Sequence, residues 1–180
     1  MLEDSQVIQR VLRGEREAYR ILVERYQQPL LAAIRGILAR SEGAEDIAQD
    51  VFLAAYENLA TFDPRRGRFA AWLFAIARNR CLNERKRRRP TLVEALPDAG
   101  AADPPEAGLA RAETLAGLDR ALAALPAAQR TALVLAEISG LPHEEVARIE
   151  DSRVGTIKSR ISRARAALRL GLARHMGEQP

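Results

Sequence analysis

Between Pro90 and Gly108 the chain reads "PTLVEALPDAGAADPPEAG", with prolines at 90, 97, 104 and 105, small residues and acids, and no basic residue. Proline lacks a backbone donor and pushes the residue before it out of the helical region, so no helix runs through this stretch. It is expected to be extended and flexible. The 180 residues are thereby split into two parts, each of which needs a hydrophobic core of its own. The organisation expected is an N-terminal domain over 1–89, a flexible Pro/Ala-rich linker over 90–109 and a C-terminal domain over 110–177. With 47% hydrophobic and 29% charged residues, the chain has the apolar material for packed cores and too much of it for a disordered chain.

Both halves read as helical. In "EREAYRILVERYQQPLLAAIRGILAR", Ala18, Leu22, Tyr26, Leu30, Ile34, Ile37 and Leu38 recur at helical spacing, and "EGAEDIAQDVFLAAYENL" continues with Ile47, Val51 and Ala54 or Ala55. Asp63-Pro64 with Gly67 marks a loop. Further on, Leu115, Leu118, Leu122 and Leu125 form one stripe, Pro126 opens the next helix, and "SGLP" at 139–142 separates a third. No strand-like alternation of useful length interrupts either half. The fold class expected is all-α, two small helical domains with a helix-turn-helix in the second.

Charge is segregated along the chain although the net charge is only +4. Acids stand at 42, 45, 46, 50 and 57 with no Lys or Arg among them. From Arg65 to Arg89 there are ten basic residues against the single acid Glu84, and from Arg153 to Arg174 seven basic residues and no acid. Two basic blocks, set apart from an acidic one, make nucleic acid the leading partner.

The second basic block sits in "LPHEEVARIEDSRVGTIKSRISRARAALRL", residues 141–170. A short helix to about Glu150, a break at Asp151-Ser152 and a longer helix from about Val154 make a helix-turn-helix. In the longer helix Val154, Ile157, Ile161, Ala164 and Leu168 share a buried stripe. The opposite face then carries Thr156, Lys158, Ser159, Arg160, Ser162, Arg163 and Arg165. Base contact is expected from Lys158, Ser159, Ser162 and Arg163, and phosphate contact from Arg160 and Arg165.

The first basic block belongs to "FAAWLFAIARNRCLNERKRRR", residues 69–89. Phe69, Trp72 or Leu73, and Ile76 can face a core while Arg78, Asn79, Arg80, Asn83 and Arg87 face outward. Trp72 has two readings, a core residue or a ring on which an unpaired base stacks beside the Arg65–Arg68 loop. The greasy start anchors the helix and the charged end holds phosphate.

These segments in this order, "AEDIAQDVFLAAYENLATFDP", "FAAWLFAIARNRCLNERKRRR", a linker and "VGTIKSRISRARAAL", resemble an extracytoplasmic-function sigma factor of the bacterial sigma-70 family. The resemblance implies a cytoplasmic transcription initiation factor that binds core RNA polymerase at its clamp helices and flap. It also implies promoter DNA as a partner, single-stranded at the minus-ten element and duplex at the minus-thirty-five element, and, by family habit, an anti-sigma factor. Asp46, Gln49 and Asp50 match the clamp-binding positions. Arg65, Arg66 and Arg68 of the loop, Trp72 and Asn79 match the minus-ten reader, with Arg80, Asn83 and Arg87 on the same outward face. One departure stands in the turn of the second domain, where Glu150, Ser152 and Arg153 replace the family's usual apolar residue, small residue and proline. It either loosens the reader helix or sets Arg153 on a phosphate.

No enzyme is expected. His143 lacks the second histidine of a zinc-protease helix, since Ala147 stands four residues on, and no nucleophile-elbow or phosphate-loop motif occurs. The lone Cys81 excludes an internal disulfide and a multi-cysteine zinc site, so neither metal nor cofactor is expected. No apolar run is long enough for a membrane span. Two other readings remain open on the residues alone, a helix-turn-helix repressor or activator that binds duplex DNA without polymerase, and a helical adaptor that docks on an acidic protein. Limited proteolysis should cut first within residues 90–108 and leave helical fragments near 1–89 and 110–180; uniform resistance of that segment would mean that it is packed.

Overall fold

A computed structural model describes residues 2–87 and 117–177, with side chains as far as residue 172. The linker expected over 90–109 lies outside the described residues, as does Leu115. All regular structure among the described residues is helical. Helices α1 (Asp4–Leu12), α2 (Tyr19–Leu38), α3 (Ala44–Glu57) and α4 (Phe69–Arg87) form the first domain. The second has α5, described over 117–123, then α6 (Ala127–Leu133), α7 (His143–Ile149) and α8 (Val154–Gly177). Among the described residues no helix is long and apolar enough to cross a membrane.

The apolar stripes read from the sequence are the faces that pack. Leu22, Leu30, Ile34 and Ile37 of α2 meet Val51 and Ala55 of α3, all fully buried. In α4 the inward row steps by four through Phe69, Leu73, Ala77 and Cys81, with Phe74 beside it. Leu73 therefore takes the deep position, and Trp72 and Ile76 are only half-buried. Burial in this row pushes the Cys81 thiol up to about 12, so it stays a protonated, inert group. Helix α1, which the periodicity did not single out, is tied down by polar contacts. Asp4 accepts hydrogen bonds from Arg25 and from the Tyr26 hydroxyl, the latter at 2.5 Å.

In the second domain Ile157, Ile161 and Ala164 of α8 are buried, while Val154 and Leu168 at the two ends of the expected stripe are half-buried. Helix α6 does not stop at Leu133. It widens into a π-helical turn over Val134–Ile138, which re-phases the chain and buries Val134 and Leu135.

The π turn packs against α2 of the first domain. A Cβ on Gly36 would lie 2.9 Å from a methyl of Val134, so glycine is what allows α2 and the π turn to approach. Beside it the Arg130 guanidinium, 6% exposed, donates to the carbonyl of Ile37 at 3.0 Å and to those of Leu122 and Ala123. Burial and the nearby Arg85 hold its pKa below the ordinary arginine value. Phe74→Ala should cost about 3–5 kcal/mol of stability through loss of a fully buried ring. Urea unfolding followed by helical circular dichroism checks this, and an unchanged midpoint would show that the α4 row is not the core.

Candidate nucleic-acid interface

Three surfaces collect the residues expected to function. On α3, Asp46, Gln49 and Asp50 are all exposed and project from one helix face. Glu45 and Asp46 lie in the first turn of α3, where the helix dipole favours acids. The same stripe continues to Leu53, whose exposure of 57% is high for an apolar residue. Leu53 borders a cleft of about 500 Å³ shared with Tyr19, Val23, Phe52 and Tyr56. Leu53 escaped the sequence reading because periodicity searches for buried stripes, and an exposed leucine next to one carries no periodic signal.

The second surface is built by α4 and the turns before it. Asp63 caps a 3₁₀ turn, Pro64–Arg66, by accepting from the Arg65 backbone N–H at 3.0 Å, and it also accepts from the Arg65 side chain. These hydrogen bonds hold the Asp63 carboxyl below its ordinary pKa. Arg65 nevertheless remains 89% exposed. Trp72 is half-buried, packed on one side and open on another. One side meets the rings of Phe62 and Phe69 at 5.8 and 5.7 Å. Another lines a cleft of about 360 Å³ with Ile76, Asn79, Arg80 and Asn83. Asn79, Arg80 and Asn83 are exposed, and the Asn79 side-chain oxygen accepts from Arg78 at 3.1 Å. Asn58 and Thr61, which the sequence reading did not single out, close the far wall of this cleft. Arg87, one turn further, pairs with Glu84 at 3.0 Å and stays largely exposed.

The third surface is the outer face of α8. Arg153, Thr156, Lys158, Ser162, Arg163 and Arg165 are exposed, and Ser159 and Arg160 are half-buried. Lys158 with Ser162, and Ser159 with Arg163, stand four apart and so share one side of the helix. Arg165 pairs with Glu137 at 2.5 Å, and Arg160 approaches Glu150 to 3.6 Å. The turn that departs from the family pattern is well formed. Asp151 adopts a left-handed conformation at φ 46°, and the Ser152 N–H donates to the Ala147 carbonyl at 2.9 Å.

Acids of α7 join the second surface to the third. Glu145, 8% exposed at its side chain, takes a forked pair of hydrogen bonds from Arg68 at 2.6 and 3.1 Å. That carboxylate holds the Arg68 pKa above its ordinary value. Glu150, the C-cap residue of α7, with its side chain 6% exposed, accepts from Arg78 at 2.8 Å. Arg148 of α7 donates to the Arg66 carbonyl and, with Glu145 and Ile149, walls a second cleft beside Trp72. The sequence reading gave Glu145 no partner role and left that of Glu150 open. Its one available signal was the polar residue at 150 where an apolar one was expected.

The comparisons agree with this geometry. Residues 22–91 match Sigma-70 region 2 and residues 115–168 match Sigma-70 region 4. The chain is 36% identical to the RNA polymerase sigma-H factor of Pseudomonas aeruginosa, over 92% of each chain. It is 34% identical to the ECF RNA polymerase sigma-E factor of Escherichia coli, over 93% of each. Among solved structures it is similar to CnrH in complex with the cytosolic domain of CnrY, at 29% identity and a TM-score of 0.72, covering 95% of this chain and 97% of that one. It is also similar to the sigma factor RpoE bound to the anti-sigma factor NepR from Bartonella quintana, at 29% identity and a TM-score of 0.67, covering 86% and 96%. With both regions matched in order and relatives spanning nearly its full length, the chain belongs to the extracytoplasmic-function sigma factors of the sigma-70 family.

Proposed function

We propose that the chain is an alternative promoter-specificity subunit that works in the cytoplasm with core RNA polymerase and divides the reading of the promoter between its two regions. The observation that carries this is the presence, on two separately matched regions, of two different DNA-fitting faces: an aromatic-and-amide cleft on α4 and a basic helix face on α8. An aromatic ring beside exposed amides and arginines suits an unstacked base with its phosphates. A helix face of lysine, serines and arginines suits the major groove of intact duplex. Region 2 then spans 1–89 and region 4 110–177, with the linker of 90–109 between.

The roles follow from this division. Asp46, Gln49 and Asp50, extended by Leu53, form the clamp-binding stripe, and region 4 lies by the flap. Arg65, Arg66, Arg68, Arg80 and Arg87 hold the displaced strand, Trp72 stacks a base and Asn79 with Asn83 reads it. On α8, Lys158, Ser159, Ser162 and Arg163 read base edges, while Arg153, Thr156, Arg160 and Arg165 contact the backbone. The solved relatives CnrH and RpoE are held by the cytosolic domain of CnrY and by the anti-sigma factor NepR, and a partner of that class is assigned to this chain. No step of this reading requires a metal, a cofactor or a catalytic group.

Transcription in vitro by core polymerase, with and without the chain, on a promoter library tests the reading. Specific start sites are expected only when the chain is present, and none in either case would overturn it. Replacing Asp46, Gln49 and Asp50 together with Ala should abolish binding to core polymerase at unchanged helical content, because all three are exposed. Unaltered affinity in a titration would remove the stripe from the interface. Lys158→Ala or Arg163→Ala should each cost about 1–3 kcal/mol and relax preference at its own upstream position, whereas Arg160→Ala should weaken all sequences alike. Asn79→Ala should bind the upstream element normally yet form open complexes poorly on duplex. A pre-melted bubble should rescue it, since the unpairing cost of a few kcal/mol is then already met. Full activity of Asn79→Ala on duplex would leave α4 as a packed basic helix and no reader.

A further inference from the structure

The two readers are fastened to one another, and that fastening opposes their use. If region 2 works at the minus-ten element and region 4 at the minus-thirty-five element, their centres lie about 25 base pairs apart, roughly 85 Å of duplex at ~34 Å per turn of about 10 base pairs. In the structure Arg68 of the region 2 reader, and Arg78 beside Asn79 on α4, are instead within hydrogen-bond distance of carboxylates on α7 and its C-cap, just before the α8 reader. Arg68 meets Glu145 at 2.6 Å and Arg78 meets Glu150 at 2.8 Å. A chain closed in this way cannot reach both elements at once.

We propose that the sigma factor carries its own off-state, in which α7 is an internal cover for the minus-ten reader and its carboxylates Glu145 and Glu150 occupy the places of DNA phosphates on Arg68 and Arg78. This rests on the promoter-reading assignment above and goes beyond it. The geometry is that of phosphate mimicry. Glu145 presents both oxygens to the Arg68 fork, the arrangement by which arginine also grips a phosphate. Arg160, on the reading helix, shares Glu150 with Arg78, so one carboxylate joins a cation of α4 to one of α8. Arg148 takes the Arg66 carbonyl and, with Ile149, stands over the side of Trp72 that faces away from Asn79. The cover is latched at a second point, where Arg130 donates to the Ile37 carbonyl in the last turn of α2 and Val134 fits against Gly36.

Opening does not require the chain to break elsewhere. At no more than about 3.5 Å per residue, the covalent chain from Arg87 to Gly117 can reach roughly 100 Å, enough to span the two elements. Lys158 and Arg163 are exposed and make no ion pair among the described residues. The closed chain therefore has Arg68 and Arg78 occupied beside the Asn79 cleft and can still touch duplex upstream. Polymerase or an anti-sigma factor then acts on an equilibrium already present in the chain, by binding one form more tightly than the other.

Two variants of the full-length chain test this from opposite directions. Glu145→Gln with Glu150→Gln removes the mimicking charges while keeping shape. Free of polymerase, it should bind a single-stranded oligonucleotide carrying a minus-ten element from the promoter library about tenfold or more tightly than wild type does, as expected when the competent fraction rises. Unchanged affinity would overturn the mimicry. Gly36→Cys with Val134→Cys places two thiols across the latch. Purified in the oxidised, cross-linked form, it should fail to start transcription with core polymerase and recover on reduction. Equal transcription by the cross-linked and reduced forms would overturn the off-state. Wild type in the same assay separates the two ideas: if it starts no specific transcripts, the promoter assignment fails, and if it does while both variants behave as wild type, only the internal cover fails.

Discussion

Among the described residues the buried Arg130 has no carboxylate partner, and the relative placement of the two regions depends on how it is satisfied. A guanidinium that is 6% exposed is costly to desolvate unless its donors are used. Here they go to the carbonyls of Leu122 and Ala123 in its own domain and of Ile37 across the seam. The Ile37 carbonyl lies in the last turn of α2, where the helix leaves carbonyls without N–H partners and carries negative dipole charge. One side chain thus completes the end of a helix in region 2 while being held by region 4. The π turn that follows places Val134 against Gly36, and no larger residue than glycine fits there without displacing it.

The acids at Glu145 and Glu150 extend this seam toward Arg68 and Arg78, and they differ from the Arg130 latch in kind. Arg68 is 55% exposed, so its pair with Glu145 is accessible to water and ions. Pairs of this sort contribute on the order of 1 kcal/mol or less and weaken with salt. A strand of phosphates offers the same arginines several partners at once and releases counterions as it binds. The latch therefore sets where the cover sits, and the ion pairs set how readily DNA displaces it. A cover that a ligand can displace suits a factor whose reading surface is needed only at a promoter.

Much of this molecule was legible in the sequence, and the parts that were not share a physical reason. The stripes of α2, α3 and α8 could be read because helical period reports which face of a helix is buried. The outward set from Thr156 to Arg165 followed as the complement of Ile157, Ile161 and Ala164. The Trp72–Asn83 cleft was legible in its members on α4, while Asn58 and Thr61 came from elsewhere in the chain. Periodicity says nothing of which faces meet. Glu145 and Arg68 are 77 positions apart and Glu150 and Arg78 are 72 apart, so their pairing is a tertiary fact. The same holds for Asp4 with Arg25 and Tyr26, which tie α1 to α2. The π turn was hidden for another reason, since a single i→i+5 turn disturbs the hydrophobic pattern by only one residue. The polar turn at Glu150 was visible as a departure from the family pattern, and its explanation is a partner in the other region.

The claim that the readers close on one another when unused is tested most directly by the distance between them. Fluorescent labels on exposed positions of α3 and α8, placed away from both reading faces, report it by energy transfer in solution. The account predicts high transfer for the free chain, unchanged by dilution because the contact is intramolecular, and a collapse of transfer when core polymerase and promoter DNA are both added. A free chain that already shows the low transfer of the promoter-bound form would contradict it.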